Sequence, residues 1–128
     1  MSESQEDYWP QDLGKTGLDT PAALMGTQAA LLGQKTNQQI TATVQALGGS
    51  PAEFVWSFQL LSAALGNYRY ELFRVFHPLT LYPATIQWEG HPNKAVGTHE
   101  EFKDALKEIL GSDRTKRIVE ALLAQVIR

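Results

Sequence analysis

The chain has no cysteine. That excludes a disulfide framework, thiolate metal ligation and a cysteine nucleophile. It also has no apolar run near the ~20 residues that a membrane-crossing helix requires. Its first residues, MSESQEDYW, are acidic and lack the apolar segment of a secretory leader. Nor is there a basic surplus. The formal net charge is −3 over 128 residues. Residues 1–20 hold Glu3, Glu6, Asp7, Asp12 and Asp19 against Lys15, which is −4 and leaves +1 for the rest. A near-neutral body does not supply the phosphate-neutralising charge that drives nucleic-acid binding. The expectation is a cytoplasmic protein with neither a nucleic-acid nor a membrane partner.

Catalytic motifs are equally scarce. No GxSxG surrounds any serine, and no GxGxxG occurs. Gly14-Lys15-Thr16 matches the end of a phosphate loop, but Trp9 stands where that motif needs its first glycine, and no strand precedes it. His77, His91 and His99 fall in no zinc-ligand spacing. No catalytic residue, metal or cofactor is expected. Glu100, Glu101, Asp104 and Glu108, interspersed with Lys103 and Lys107, read as the solvated face of a helix.

What is present is a good core composition. Hydrophobic residues make up 43% and charged residues 20%, ordinary for one folded domain of this length. Residues 1–19 read as an acidic arm and 20–128 as a single domain. The arm carries Tyr8-Trp9-Pro10, an aromatic pair that either clasps the body or serves a partner.

Thr20-Pro21 is a helix start, with a capping hydroxyl followed by the residue best tolerated in the first turn. Leu24, Met25, Gln28, Leu31 and Leu32 continue it, weakened by Gly26 and Gly33. Residues 38–47 alternate as a strand, with Gly48-Gly49-Ser50-Pro51 as the turn after it. Phe54, Trp56, Phe58 and Leu60 share one face of a second strand. A third runs from Tyr68 to His77-Pro78 and a fourth from about Leu81 to Trp88, while 89–97 read as loop. Thr98 and Glu101 form a capping box for a helix with the stripe Phe102, Ala105, Leu106, Ile109 and Leu110. Gly111 ends it, Ser112 caps the next, and Ile118, Val119, Leu122, Leu123 and Val126 mark the last helix. The expected fold is α+β: a four-stranded antiparallel meander with one N-terminal and two C-terminal helices, in the order α-β-β-β-β-α-α. Three amphipathic helices suffice to cover one sheet face.

The third strand does not alternate cleanly. Tyr68, Tyr70 and Leu72 share one side, and Phe73 and Val75 the other, with Arg69, Glu71 and His77. A β-bulge near Leu72-Phe73 would gather the apolar groups on one side, leave a polar outer face and suggest a monomer. Without it, Phe73, Val75, Val55 and Leu61 need cover from a second copy or from the arm.

Candidate binding residues concentrate here: Tyr68, Arg69, Tyr70, Phe73, Arg74, His77, Tyr82, Trp88 and His91. Tyrosine, tryptophan and arginine are the types enriched at interface hot spots. The Tyr68-Arg69-Tyr70 triplet reads either as a cation–π or carboxylate-binding patch or as two inward tyrosines around an outward arginine. The function that follows is a small non-catalytic protein-binding or regulatory module using a sheet face, with self-association as one form of it. The alternative is a small-molecule-binding protein or enzyme whose pocket lies between sheet and arm, lined by Tyr68, Tyr70, Tyr82 and Trp88.

Overall fold

The structure is a computed structural model that describes residues 6–14, 19–50 and 52–126. The three helices are α1 (Pro21–Lys35), α2 (His99–Leu110) and α3 (Asp113–Val126). The five strands are β1 (Thr41–Ser50), β2 (Glu53–Ser62), β3 (Tyr68–His77), β4 (Ala84–Trp88) and β5 (Lys94–Val96). They form one antiparallel meander in the order β1-β2-β3-β4-β5. The fold is α+β, as expected, but the sheet has five strands rather than four. The extra one is β5, three residues read from sequence as loop, of which only Val96 is buried. It pairs Val96 with Ala84 and Lys94 with Ile86. One buried side chain is too little to register as strand periodicity.

Two boundaries also move. Gly48 and Gly49 are not the turn. Gly49 pairs with Phe54, and Leu47 and Gly48 stand opposite Val55 as a bulge inside β1, after the pair Ala46–Trp56. Gly48 has φ 83° and Gly49 φ 129°, conformations that only glycine adopts cheaply. The fourth strand starts at Ala84 and not Leu81, because Leu81 sits at φ 79° and Pro83 has no N–H to give a ladder.

The helix starts follow the sequence. Thr20 Oγ1 accepts from the Ala23 N–H at 3.0 Å, with Pro21 in the first turn. Thr98 Oγ1 accepts from the Glu101 N–H at 3.1 Å, and Glu101 Oε1 reaches back to the Gly97 N–H at 2.7 Å. Ser112 Oγ accepts from the Thr115 N–H at 3.1 Å and so opens α3. Buried residues of α1 are Pro21, Met25, Ala29 and Gly33, one narrow four-residue repeat, while Leu31 stays exposed. Small residues in that row let α1 lie close over β1.

The core lies between the three helices and one side of the sheet. Met25, Phe102, Ala105, Leu106, Ile109 and Leu122 meet Phe58, Leu60, Leu72, Phe73, Val75, Ile86 and Trp88. Phe58 and Phe73 stack at 4.9 Å, a contact worth about 1 kcal/mol beyond the area it buries.

Candidate functional site

The register of β2 against β3 contains the feature on which the site depends. Phe58 pairs with Phe73 and the next residue, Gln59, pairs with Glu71, so Leu72 is the extra residue of a bulge. Without it the side-chain period of two would put the two halves of β3 on opposite faces. With it, Tyr70, Leu72, Phe73, Val75 and His77 all face the helices, and Arg69, Glu71, Arg74 and Phe76 all face away.

The outward side is uncovered by any helix among the described residues. Its central row is a hydrogen-bonded chain. Arg69 Nη1 donates to Gln59 Oε1 at 3.1 Å, and Gln59 Nε2 donates to Ser57 Oγ at 3.1 Å. Ser57 Oγ donates to Glu71 Oε2 at 2.5 Å, and Arg74 Nε donates to both Glu71 oxygens at 2.9 and 2.8 Å. Ser57 is fully buried beneath this chain. Arg69 and Arg74 therefore stand in fixed positions, one at each end, on a ground of half-buried Val55, Leu61 and Phe76. Arg74 spends only Nε on the protein, so its terminal nitrogens have no side-chain partner among the described residues.

The other candidate residues are placed elsewhere. Phe73 is core, 2% exposed. His77 is buried at the far end of β3, where Phe54 and Trp56 stack against it. Trp56 Nε1–H donates to His77 Nε2 at 2.9 Å, which leaves Nδ1 to carry the proton and donate to the Pro78 carbonyl at 2.7 Å. Tyr70 is half-buried on the helix side, with Arg114 Nη2 at 3.5 Å from its hydroxyl. Tyr68, on the same side opposite Ser62, is 46% exposed at the sheet end. The triplet thus resolves into an inward-facing tyrosine pair around an outward arginine.

Tyr82 packs edge-on to His99, and its hydroxyl lies 3.0 Å from His99 Nδ1. Burial raises the pKa of that hydroxyl above the ordinary tyrosine value, and the charge of Asp19 adds to the effect. A protonated hydroxyl can then donate to the imidazole. Trp88 is buried, and His91 stacks flat on it at 3.9 Å. Both line a cavity of about 360 Å³ closed by Pro92, Lys94, Glu108 and Ile109. A second, apolar hollow of about 400 Å³ lies between α1 and α3, floored by Phe58, Leu60 and Leu72. None of Tyr68, Tyr70 or Tyr82 lines either one.

The described residues of the arm line neither one. Tyr8 is 84% and Trp9 71% exposed. Sequence reasoning missed Gln59, Ser57 and Glu71 as partners of the two arginines, and Trp56 as the partner of His77. Alternation put Ser57 and Gln59 on the outer face of β2, but only the register shows what lies across from them. Among the described residues no group of three or more His, Cys, Asp or Glu side chains is placed to hold a metal ion, and no helix is long and apolar enough to cross a membrane. Comparison with protein-family models, curated proteins and solved structures finds no match.

Proposed function

We propose that this protein is a non-catalytic binding module that takes a protein partner on the uncovered face of its sheet. The observation that carries this reading is the Leu72 bulge. It gathers Leu72, Phe73 and Val75 on the helix side, leaves Phe76 outward, and sets Arg69 and Arg74 on the open side, where Gln59, Ser57 and Glu71 hold them. Side chains ordered in advance lose less entropy on binding. Guanidinium groups with spare N–H pairs suit carboxylates, and Val55, Leu61 and Phe76 supply a small apolar centre. The partner this face fits presents acidic side chains around an apolar contact.

The test is affinity capture from native extract with the Arg69→Glu/Arg74→Glu double variant. Capture should be lost while the melting temperature stays within a few degrees. An Arg117→Glu control, on the exposed side of α3, should keep capture. Undiminished capture by the double variant would sink this reading.

A second reading rests on the cavity beside Trp88. Its volume is at the small end of ligand pockets, and it combines an aromatic stack with the Lys94–Glu108 ion pair at 3.6 Å. A small polar-aromatic molecule bound there would show in a thermal-shift screen, since a ligand at 100 times its Kd adds about 2.7 kcal/mol.

A further inference from the structure

The two edges of the sheet are built differently. β5 is three residues long, begins with Lys94 and follows Pro92. Shortness, lysine and nearby proline are the usual devices that keep an edge from pairing with another chain. β1, at the opposite edge, is guarded only at its far end, by a bulge and by Pro51 after its last residue. It is ten residues long, with no charged residue and no proline from Thr41 to Ser50. Among the described residues no strand pairs with its outer side. Its backbone N–H and C=O groups on that side are unspent.

Charge is missing from the neighbouring helix as well. α1 packs over β1, and its exposed positions before Lys35 are Ala23, Thr27, Ala30, Leu31 and Gln34. From Pro21 to Ala52 the single charged residue is Lys35. At 20% charged residues, a stretch of that length would carry about six. Exposed helix flanks and edge strands are where charge usually sits. Here both lack it, and they adjoin.

We propose that β1 is the interface of a two-fold homodimer, pairing antiparallel with β1 of a second copy so that two five-stranded sheets become one of ten. An antiparallel strand that meets itself is self-complementary, as a two-fold axis requires. Cross-strand neighbours are then drawn from Thr, Ala, Val and Gln, with no like-charge pair to oppose them. A charged foreign strand finds no counter-charge along this edge. The Leu47-Gly48 bulge twists the far end away, so pairing is confined to Thr41–Gln45, with Thr43 on the axis. Thr41, Thr43 and Gln45 stay on the open face, and the α1 flanks of the two copies approach each other on the other side. The inference stands on the edge and on α1, independently of any partner bound at Arg69 and Arg74.

The experiment is size-exclusion chromatography with light scattering on the full chain over a wide concentration range. The expected mass is twice the 14.2 kDa of one chain. Thr43→Lys sets two like charges against each other across the axis and should halve the mass, and so should Thr43→Glu. An equimolar mixture of the two variants should restore the dimer as a heterodimer. Circular dichroism of each variant should match the parent. Arg74→Glu should leave the dimer intact. A parent chain that stays at 14.2 kDa at every concentration overturns the proposal. So does a dimer that survives both Thr43 substitutions, or one that Arg74→Glu dissociates. If either Thr43 variant is unfolded, amide exchange on the parent decides instead. Protection of the 41–45 amides must rise with protein concentration, and unchanged protection overturns the proposal.

Discussion

The fold buries His77 and half-buries Tyr82, and it engages their polar atoms in different ways. Both ring nitrogens of His77 are engaged, because Trp56 donates to Nε2 and Nδ1 lies against the Pro78 carbonyl. Trp56→Phe keeps an aromatic ring but removes the donor and part of the indole's bulk. It leaves a buried imidazole nitrogen without its partner, which costs about 1–3 kcal/mol, and chemical denaturation should show that loss with an unchanged m-value. A neutral result would mean that water replaces the indole N–H. Tyr82 couples stability to pH. Burial, then Asp19, raise its pKa, so the folded state holds the phenolic proton more tightly than the unfolded state. The associated stability is complete below the ordinary tyrosine range and is lost as pH rises through the raised value. Melting temperature should therefore fall with alkaline pH more steeply in the parent than in Tyr82→Phe. Equal slopes would mean that the hydroxyl titrates as in water.

At the scale of elements, the strength of the sequence signal tracks how many residues share in each feature. α2 was legible from Thr98, Glu101 and five apolar residues at helical spacing, and the structure buries four of that stripe, Phe102, Ala105, Leu106 and Ile109. The irregularity of β3 was legible as a broken alternation, and its cause proved to be the Leu72 bulge rather than a strand apolar on both faces. β5 was not legible, because pairing with β4 defines it more than its own composition does. The Trp56–His77, Tyr82–His99 and Arg114–Tyr70 contacts were out of reach for another reason. Their partners lie 21, 17 and 44 residues apart, and only register and helix placement bring them together. The β1 bulge gives a sharp element-scale test. A Cβ on Gly49 would lie 2.3 Å from the Glu53 carbonyl oxygen, whereas one on Gly48 meets nothing within 4 Å. Both residues hold positive φ, so each alanine substitution costs on the order of 1 kcal/mol in backbone strain. Gly49→Ala should cost clearly more than Gly48→Ala in thermal unfolding, because backbone must move to admit it. Equal costs would mean that the hairpin end relaxes freely.

Over the whole molecule, charge and structure are divided along the chain. Residues 1–14 hold Glu3, Glu6, Asp7 and Asp12 and no base, so the net charge of −3 becomes +1 once they are removed. The hydrogen bonds of the described arm are internal to it: Trp9 N–H to Asp7, Tyr8 hydroxyl to Glu6, and Leu13 N–H to the Pro10 carbonyl. With Tyr8, Trp9 and the rest of residues 6–14 exposed, the described part of the arm contributes no buried area that its loss would forfeit. Truncation after Gly14 should leave the unfolding free energy within the roughly ±0.5 kcal/mol expected of surface changes, and the melting temperature nearly unmoved. A fall of many degrees would show that the arm clasps the body after all. The same truncation bears on binding. An acidic partner approaching Arg69 and Arg74 meets a net negative chain when the arm is present and a net positive one when it is absent. Association at low ionic strength should be faster for the truncated chain. That advantage should shrink as salt shortens the screening length toward about 8 Å at physiological ionic strength. Stopped-flow or surface-plasmon rates measured across a salt series would decide it. A rate difference that persists at high salt would assign the arm a contact role rather than an electrostatic one.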